Sequence, residues 1–262
     1  MGFHVVIPAR YASARLPGKP LLDIGGIPMV QRVVERACAS SADEVLVATD
    51  DARIAAAVHH PRRPAQSIAV LTEPALPSGT DRVAAVAAAR GWSDDTLVVN
   101  VQGDEPFLPA ALIEQVAALL ERDPAAGIAT LATPIGSVEE FLDPNLVKVV
   151  TAPDGAALYF SRAPIPWSRD GALAGLTSQQ HFAGALRHVG LYAYRVGVLK
   201  RITRLPPSAL EQCEKLEQLR ALENGVRIVV GRCVEPPPPG VDTPSDLERA
   251  RRRASSGELI HE

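Results

Sequence analysis

Short apolar runs rich in β-branched residues alternate with segments of helical periodicity through the first half of the chain. This alternation is typical of βαβ units, in which crossover helices join parallel strands. Strands such as the one containing VVNV (98–101) are apolar on both faces, as expected when helices cover both sides of a sheet. The predicted strands are 4–8, 44–48, 68–71, 96–101 and 128–132. The predicted crossover helices are 29–39, 52–59, 80–90 and 109–121. The pattern predicts an α/β fold with a doubly wound, mostly parallel sheet.

The middle of the chain has a different pattern. Runs at 147–150, 157–160 and 189–194 look like strands, and loops rich in proline and glycine separate them instead of helices. This part of the sequence predicts an antiparallel extension of the sheet.

The C-terminal part returns to alternating elements. We predict a helix over about 209–223, a strand at 227–231 and a final helix. The final helix has a strong start signal, with Thr243 as its cap, Pro244 at the first helical position and Asp246 at the third. Asp242, the residue before Thr243, therefore lies just outside a helix start.

Charge and cysteine content limit the partners of the chain. Lys and Arg total 27 and Asp and Glu total 30, a formal net charge of −3, so no broad basic field exists for nucleic acid or an anionic membrane. The longest stretches without charged side chains, 124–138 and 171–186, are shorter than the ~18 apolar residues of a membrane span. The N-terminal apolar run is too short for a signal peptide, and three cysteines without a CxxC pair fit a reducing compartment. We expect a soluble, cytoplasmic protein.

The loop after the first strand is strongly cationic. It carries Arg10, Arg15 and Lys19, and no acidic residue precedes Asp23. Ligands of open α/β sheets bind beyond the carboxyl ends of the strands, so these cations suit a polyphosphate. A solvated basic loop is the alternative. Neither a GxGxxG after the first strand nor a GxxxxGK[ST] occurs, which argues against a nicotinamide dehydrogenase and a P-loop NTPase.

A second loop, 77–82 (PSGTDR), precedes a predicted helix. Its backbone N–H groups and the hydroxyls of Ser78 and Thr80 suit phosphate or ribose, although an ordinary cap at Thr80 explains the same residues.

Carboxylates follow the strand at 96–101. Gln102, Asp104 and Glu105 leave the sheet at its carboxyl edge. A hard cation that bridges phosphates takes one or two protein carboxylates and keeps several waters. Asp104 is a candidate for one of them and Asp242 for the second, with a plain turn aspartate as the alternative for Asp242.

Other candidates lie in the second half of the chain. On the helix predicted over 209–223, Glu211, Glu214 and Gln218 fall on one face, which suits either a hydroxylated ligand or solvent. Arg162 and His188, at or beside predicted strands, are further candidates, although a single histidine is more often structural.

Several segments together carry a recognisable pattern, and through them the chain resembles the CMP-Kdo synthetases. That family of cytidylyltransferases activates the acidic eight-carbon sugar 3-deoxy-manno-octulosonate (Kdo). The match runs from the first strand to the last helix. The first segment, IPAR-x-x-S-x-R-L-P-x-K, alone marks only the wider group of sugar-nucleotide transferases. Two further segments, FSR-x-x-IPW and GVDTP, narrow the resemblance to the Kdo enzymes. The matching segments are 7–21, 47–50, 78–82, 100–106, 158–167, 187–195, 216–220 and 240–248.

The resemblance implies transfer of CMP from CTP to the anomeric hydroxyl of Kdo, with Mg²⁺ and release of pyrophosphate, in the supply of lipopolysaccharide precursors. It implies a Rossmann-like nucleotidyltransferase fold and a cytoplasmic homodimer. We expect one domain over 1–262, with a nucleotide- and metal-binding core at 1–135 and 225–262. The segment 136–224 would be an insertion for sugar binding and dimerisation.

The family's site residues carry over by position. Arg10, Lys19, Asp104 and Asp242 would be catalytic, the two aspartates as metal ligands. The nucleotide-binding residues would be Ala9, Arg10, Arg15, Lys19, Ser78, Gly79, Arg82 and Gln102. The sugar-binding residues would be Arg162, His188, Tyr192, Glu211, Glu214 and Gln218.

Three alternatives remain open at this point. A CMP-sialic acid synthetase or another activator of acidic sugars is the near rival. A catalytically silent nucleotide-binding module is the second alternative. A nicotinamide oxidoreductase is the third, and the absence of a GxGxxG motif argues against it. Two segments, 59–66 and 235–240, depart from the family's form. We expect surface variation from the first and an effect on the presentation of Asp242 from the second.

Overall fold

The computed structural model describes residues 2–13, 15–171 and 184–256. Within these residues nine strands form one sheet, and β2 and β3 form a separate short hairpin. The strands are β1 (Phe3–Pro8), β2 (Asp23–Ile24), β3 (Ile27–Pro28), β4 (Glu44–Thr49), β5 (Ala69–Leu71), β6 (Leu97–Asn100), β7 (Ile128–Pro134), β8 (Lys148–Thr151), β9 (Ala157–Ser161), β10 (Leu186–Arg195) and β11 (Ile228–Arg232). The helices are α1 (Met29–Cys38), α2 (Ala52–Ala57), α3 (Gly79–Ala89), α4 (Ala110–Arg122), α5 (Val138–Leu142), α6 (Val196–Ile202), α7 (Ala209–Glu214), α8 (Gln218–Glu223) and α9 (Pro244–Ser255).

The sheet is mostly parallel. Its order is β11-β7-β10-β6-β1-β4-β5, and β1 pairs in parallel with both β4 and β6. The long strand β10 lies between β6 and β7 and runs antiparallel to both. β8 pairs with β10 and with β9, both in antiparallel fashion. The predicted α/β class and the antiparallel extension are therefore confirmed.

Helices cover both faces because successive residues of the strands point to opposite sides. Val5 of β1 faces a core formed with α1 and α4, whereas Val6 faces a second core formed with α3, α6 and α8. Both valines are fully buried, as a doubly wound sheet requires. No helix among the described residues is long and apolar enough to cross a membrane.

The predicted helix over 209–223 is wrong as a single element. Lys215 has φ 55° and ψ 48°, a left-handed conformation that ends α7, and α8 begins only at Gln218. Leu216, between the two helices, is buried in the core on the α3 side of the sheet. The break places Glu211 and Glu214 on a different helix from Gln218, so the shared helical face is also wrong.

The division into a core and an insertion stays a prediction. The strands β8, β9 and β10 of the segment 136–224 belong to the same sheet as the strands on either side.

Candidate functional site

Two neighbouring cavities open at the carboxyl ends of β1 and β6. The charged cavity, of about 370 Å³, is lined by Arg10, Arg15, Lys19, Arg82, Asp104 and Asp242 together with Ala9 and neighbouring residues of the first loop. The tyrosine cavity, of about 200 Å³, is lined by Asn100, Tyr192, Tyr194, Glu217 and Gln218 together with Ser78 and Thr80 of α3 and its cap. Gly79 and Gln102 line both cavities. A ligand in the charged cavity and a ligand in the tyrosine cavity would therefore contact each other beside Gln102.

Lys19 lies between the two candidate metal ligands. Its Nζ donates to Asp104 Oδ2 at 2.7 Å and to Asp242 Oδ1 at 3.0 Å. Arg15 Nη2 also donates to Asp242 Oδ1 at 3.0 Å. Two carboxylates separated by about half of the chain thus converge on one cation, as the family resemblance implied.

Local structure fixes the position of Asp242. Val241 N–H donates to the carbonyl of Asp104 at 2.9 Å, which ties the two carboxylate loops together. Thr243 caps α9 in a capping box, and Asp246 Oδ2 accepts from the backbone N–H of Asp242 at 3.1 Å. A Cβ on Gly240 would lie 2.9 Å from Glu105 Oε1, so the chain after the proline tract passes close to the carboxylate loop.

Glu105 is a third acid at this edge, and no role was assigned to it from the sequence. Its pKa is raised to about 8, first by burial and then by the charges of Asp104 and Asp242. In the ligand-free protein Glu105 therefore holds a proton near neutral pH, while its two neighbours share Lys19.

The first loop and the start of α3 supply the other predicted nucleotide-binding residues. Ser78 caps α3, and its Oγ accepts from Asp81 N–H at 3.2 Å. Arg82 is almost fully buried and donates to Asp50 Oδ2 at 2.7 Å and to Thr72 Oγ1 at 2.6 Å. These contacts hold the Arg82 guanidinium at the wall of the charged cavity, whereas Arg10 is exposed.

The tyrosine cavity contains two of the six predicted sugar-binding residues, Tyr192 and Gln218. It also contains a polar network that sequence reasoning did not assign. Thr80 Oγ1 donates to Glu217 Oε2 at 2.7 Å, and the hydroxyl of Tyr194 hydrogen-bonds to Thr80. Burial raises the pKa of Tyr192 well above its ordinary value, so this phenol stays protonated. Glu217 stands inside the LEQLR segment at 216–220, and that segment was the signal for it.

His188 lies beside the cavity, behind Tyr192. Its Nε2 is 3.0 Å from Thr130 Oγ1, and its ring packs edge-on against Phe160 and in a tilted arrangement against Tyr192. Burial lowers the His188 pKa to about 3, so the imidazole is neutral at physiological pH.

The other three predicted sugar-binding residues have protein partners. Glu214 accepts from Ser161 Oγ at 2.6 Å and from the N–H of Arg162 at 2.9 Å, and Arg162 Nε donates to the Glu214 carbonyl. Glu211 is buried, pairs with Arg220 and completes the capping box of α7. In the part of the chain described by the structure, the lining of the tyrosine cavity includes none of these three. Their role in sugar binding stays a prediction.

Known proteins resemble this chain in sequence and in structure. A family profile described as cytidylyltransferase matches residues 4–228. The 3-deoxy-manno-octulosonate cytidylyltransferase of Xanthomonas euvesicatoria pv. vesicatoria (strain 85-10) is 55% identical over 254 residues, 97% of this chain and 96% of that protein. The protein of the same name from Methylococcus capsulatus (strain ATCC 33009 / NCIMB 11132 / Bath) is 54% identical, with 97% of each chain covered.

Two solved structures share the fold. The structure of CMP:2-keto-3-deoxy-manno-octonic acid synthetase complexed with CTP superimposes with a TM-score of 0.86 at 42% identity, covering 98% of this chain and 99% of that one. The 2-C-methyl-D-erythritol 4-phosphate cytidylyltransferase from Thermus thermophilus gives a TM-score of 0.57 at 18% identity, covering 97% of this chain and 100% of that one. The second comparison supports the architecture alone.

Proposed function

The chain belongs to the cytidylyltransferase family, among the 3-deoxy-manno-octulosonate cytidylyltransferases, and we propose on that premise that it transfers CMP from CTP to the anomeric hydroxyl of Kdo, releasing pyrophosphate. The family resemblance expected from the sequence motifs is confirmed by these comparisons. The observation that supports the activity most is the convergence of Asp104 and Asp242 on Lys19, in a cavity that Arg10 and Arg15 also line.

The charged cavity suits the triphosphate. Arg10, Arg15 and Lys19 supply fixed positive charge, and Arg82 adds a guanidinium held in place by Asp50. Attack on the α-phosphorus places negative charge on the departing pyrophosphate, and preorganised cations lower the free energy of that state. Two of the three N–H groups of Lys19 Nζ contact the aspartates, so the third can donate to a phosphate oxygen, and a divalent ion held by both aspartates would displace Lys19 further toward the phosphates.

Asp104 and Asp242 are the residues that would hold Mg²⁺. They fit a cation because their oxygens already lie 2.7 and 3.0 Å from one ammonium nitrogen. The described residues contain no group of three or more His, Cys, Asp or Glu side chains arranged for a metal. The site proposed here is therefore of the two-carboxylate kind, in which phosphate oxygens and water complete the coordination. When bound, the ion would neutralise phosphate charge and polarise the reacting oxygens.

The tyrosine cavity suits the sugar. It adjoins the charged cavity at Gly79 and Gln102, and its lining offers hydroxyl, amide and carboxylate groups beside Tyr192. A Kdo bound there with its anomeric hydroxyl toward Gln102 would stand next to the α-phosphate. Positioning of this kind supplies a large part of the rate enhancement without a covalent intermediate.

Membership of the family supports a proposal about the cellular setting. We propose that the protein works as a homodimer in the cytoplasm and supplies activated Kdo for lipopolysaccharide.

The proposed activity is tested by incubating the protein with CTP, Kdo and Mg²⁺ and measuring pyrophosphate. We expect CTP- and Kdo-dependent release, and no release when Mg²⁺ is chelated. Equal or faster turnover of sialic acid would assign the protein to the near rival. CTP binding without pyrophosphate release from either sugar would indicate a silent binding module and contradict the proposal.

A further inference from the structure

Asn100 lines the tyrosine cavity, and its side chain has an unpaired acceptor. It is the last residue of β6 and is only 1% exposed. Its backbone pairs with Val6 of β1 and with Tyr192 of β10. Its side-chain oxygen Oδ1 is buried and accepts no hydrogen bond from any residue that the structure describes.

The presence of an unpaired, buried side-chain oxygen at Asn100 needs a physical explanation. A buried polar oxygen without a donor loses its hydrogen bonds to water and gains nothing in return, so native proteins contain few of them. Thr133 Oγ1 on β7 is also buried and unpaired among the described residues. Thr133 is not among the residues that line either cavity, whereas Asn100 lines the tyrosine cavity. A ligand in that cavity can satisfy Asn100 and not Thr133.

The lining of the cavity selects the chemistry of that ligand. Asp81 and Glu217 are the acidic residues of the lining, and Lys215 and Arg220 are its basic residues, of which Arg220 is paired with Glu211. The lining therefore has no surplus of cations for a phosphate group, whereas hydroxyl groups would find both hydrogen-bond acceptors and donors. The charged cavity, by contrast, supplies the cations for anionic groups.

The geometry of the acceptor sugar matches this division. In Kdo the carboxylate is attached to the anomeric carbon, so both lie at the reacting end, next to the cations. The hydroxyl-bearing remainder then extends away from Gln102 into the tyrosine cavity.

Resting on the proposed function, we infer that Asn100 Oδ1 accepts a hydrogen bond from a hydroxyl group on that remainder of the sugar. Asn100 is thereby a specificity-determining residue, which selects a polyhydroxylated acceptor and does not contribute to CTP binding. Part of the stability of the ligand-free protein is lost to keep this acceptor open.

The test compares Asn100→Leu and Asn100→Ala with the wild type, and Thr133→Val serves as the matched control. Binding of Kdo is measured by calorimetry in the presence of Mg²⁺ and a non-hydrolysable CTP analogue, and binding of the analogue is measured alone. We expect the Kd for Kdo to rise about tenfold in both Asn100 variants, as for the loss of one well-made hydrogen bond, with analogue binding unchanged. Thr133→Val should leave both constants unchanged. The ligand-free Asn100→Leu protein should melt at the wild-type temperature or above it.

The first comparison of a second arm uses the wild-type protein alone, so it does not depend on the folding of a variant. Kdo analogues that each lack one hydroxyl outside the reacting end are compared with Kdo on the wild-type protein. One of them should bind about tenfold more weakly to the wild type, and Asn100→Leu should bind that analogue and Kdo equally. Undiminished binding of every such analogue, or weaker CTP-analogue binding in both Asn100 variants, would overturn the inference. A wild-type protein that releases no pyrophosphate from CTP and Kdo would contradict the proposed function instead, which separates the two failures.

Discussion

At the scale of single residues, the site is held together by opposite charges that the reaction has to rearrange. Lys19 is mostly buried between Asp104 and Asp242, and it acts as the counter-ion of both carboxylates in the ligand-free protein. Without a cation these two acids would repel each other, and after burial their charges are the next cause of the raised pKa of neighbouring Glu105. An ammonium group therefore occupies the place where we propose that a divalent ion binds.

Replacing Asp104 should affect activity much more than stability. In Asp104→Asn, Lys19 keeps its contact with Asp242, and the lost pair is partly exposed, so the free energy of unfolding should change by less than about 1 kcal/mol. Pyrophosphate release should fall by about 100-fold or more because half of the charge on the ion site is gone. Asp94→Asn, which breaks the distant Lys200–Asp94 pair, is the control and should retain full turnover. Wild-type turnover in Asp104→Asn would remove Asp104 from the site.

Replacing Lys19 should have opposite effects on metal binding and on turnover. Lys19→Met frees the two aspartates from their present cation, so Mn²⁺ should bind the nucleotide-free variant more tightly than the wild type, as followed by electron paramagnetic resonance. Turnover should fall by about 100-fold because a cation proposed to contact the triphosphate is lost. Lys200→Met serves as the control for the loss of a partly exposed lysine. Weaker Mn²⁺ binding in Lys19→Met would contradict the idea that Lys19 and the metal ion compete for the two aspartates.

The Glu105 carboxyl should make stability depend on pH. Its pKa is about 8 in the folded protein against an ordinary 4.5, so the folded state keeps a proton that the unfolded chain releases between these values. Stability contributed at this position is therefore lost as the pH rises from about 4.5 to 8. Without metal, Glu105→Gln should have the melting temperature of the wild type near pH 4.5 and an increasingly higher melting temperature than the wild type as the pH approaches about 8. Parallel curves for Glu105→Gln and the wild type would show that Glu105 does not titrate in this way, and Glu248→Gln on α9 provides the comparison at an exposed carboxylate.

At the scale of elements, the ends of helices and strands place the site. β6 ends at Asn100, directly before the loop that carries Gln102 and Asp104, and α9 begins just after Asp242. Both positions were predictable, because a buried apolar run followed by polar residues and a Thr-Pro-x-Asp start are local signals. The break at Lys215 was not predictable, since no glycine or proline occurs between Ala209 and Glu223 and the turn lets Leu216 enter the core.

The cap of α9 should matter for activity as well as for stability. Thr243→Ala removes the side chain that accepts from Asp246 N–H, and the free energy of unfolding should fall by about 1 kcal/mol. Because Thr243 adjoins Asp242, turnover should also fall by about tenfold through misplacement of that carboxylate. Ser137→Ala at the cap of α5 is the matched control, with a similar loss of stability and no loss of turnover. Equal turnover in the two variants would show that the cap does not position Asp242.

At the scale of the whole molecule, the sequence predicts the individual strands and helices better than their arrangement in the sheet. The apolar runs of β1, β4 and β6 are buried on both faces, and such runs can be recognised locally. The insertion of β10 between β6 and β7 cannot be recognised from the sequence. Period-two patterning does not determine which strand becomes a neighbour or in which direction that strand runs. For the same reason residue spacing alone could not show that Asp104 and Asp242 meet, and the family resemblance supplied that expectation before the structure confirmed their proximity.

The proposed activity requires Asp104 and Asp242 to bind one divalent ion together with the triphosphate. The most direct measurement is a crystal structure with CTP and Mn²⁺ in place of Mg²⁺, in which anomalous scattering locates the metal. We expect an ion about 2.0–2.2 Å from a carboxylate oxygen of each aspartate and from phosphate oxygens, with Lys19 moved onto the phosphates. An ion bound away from either aspartate, with Lys19 still between them, would contradict that requirement.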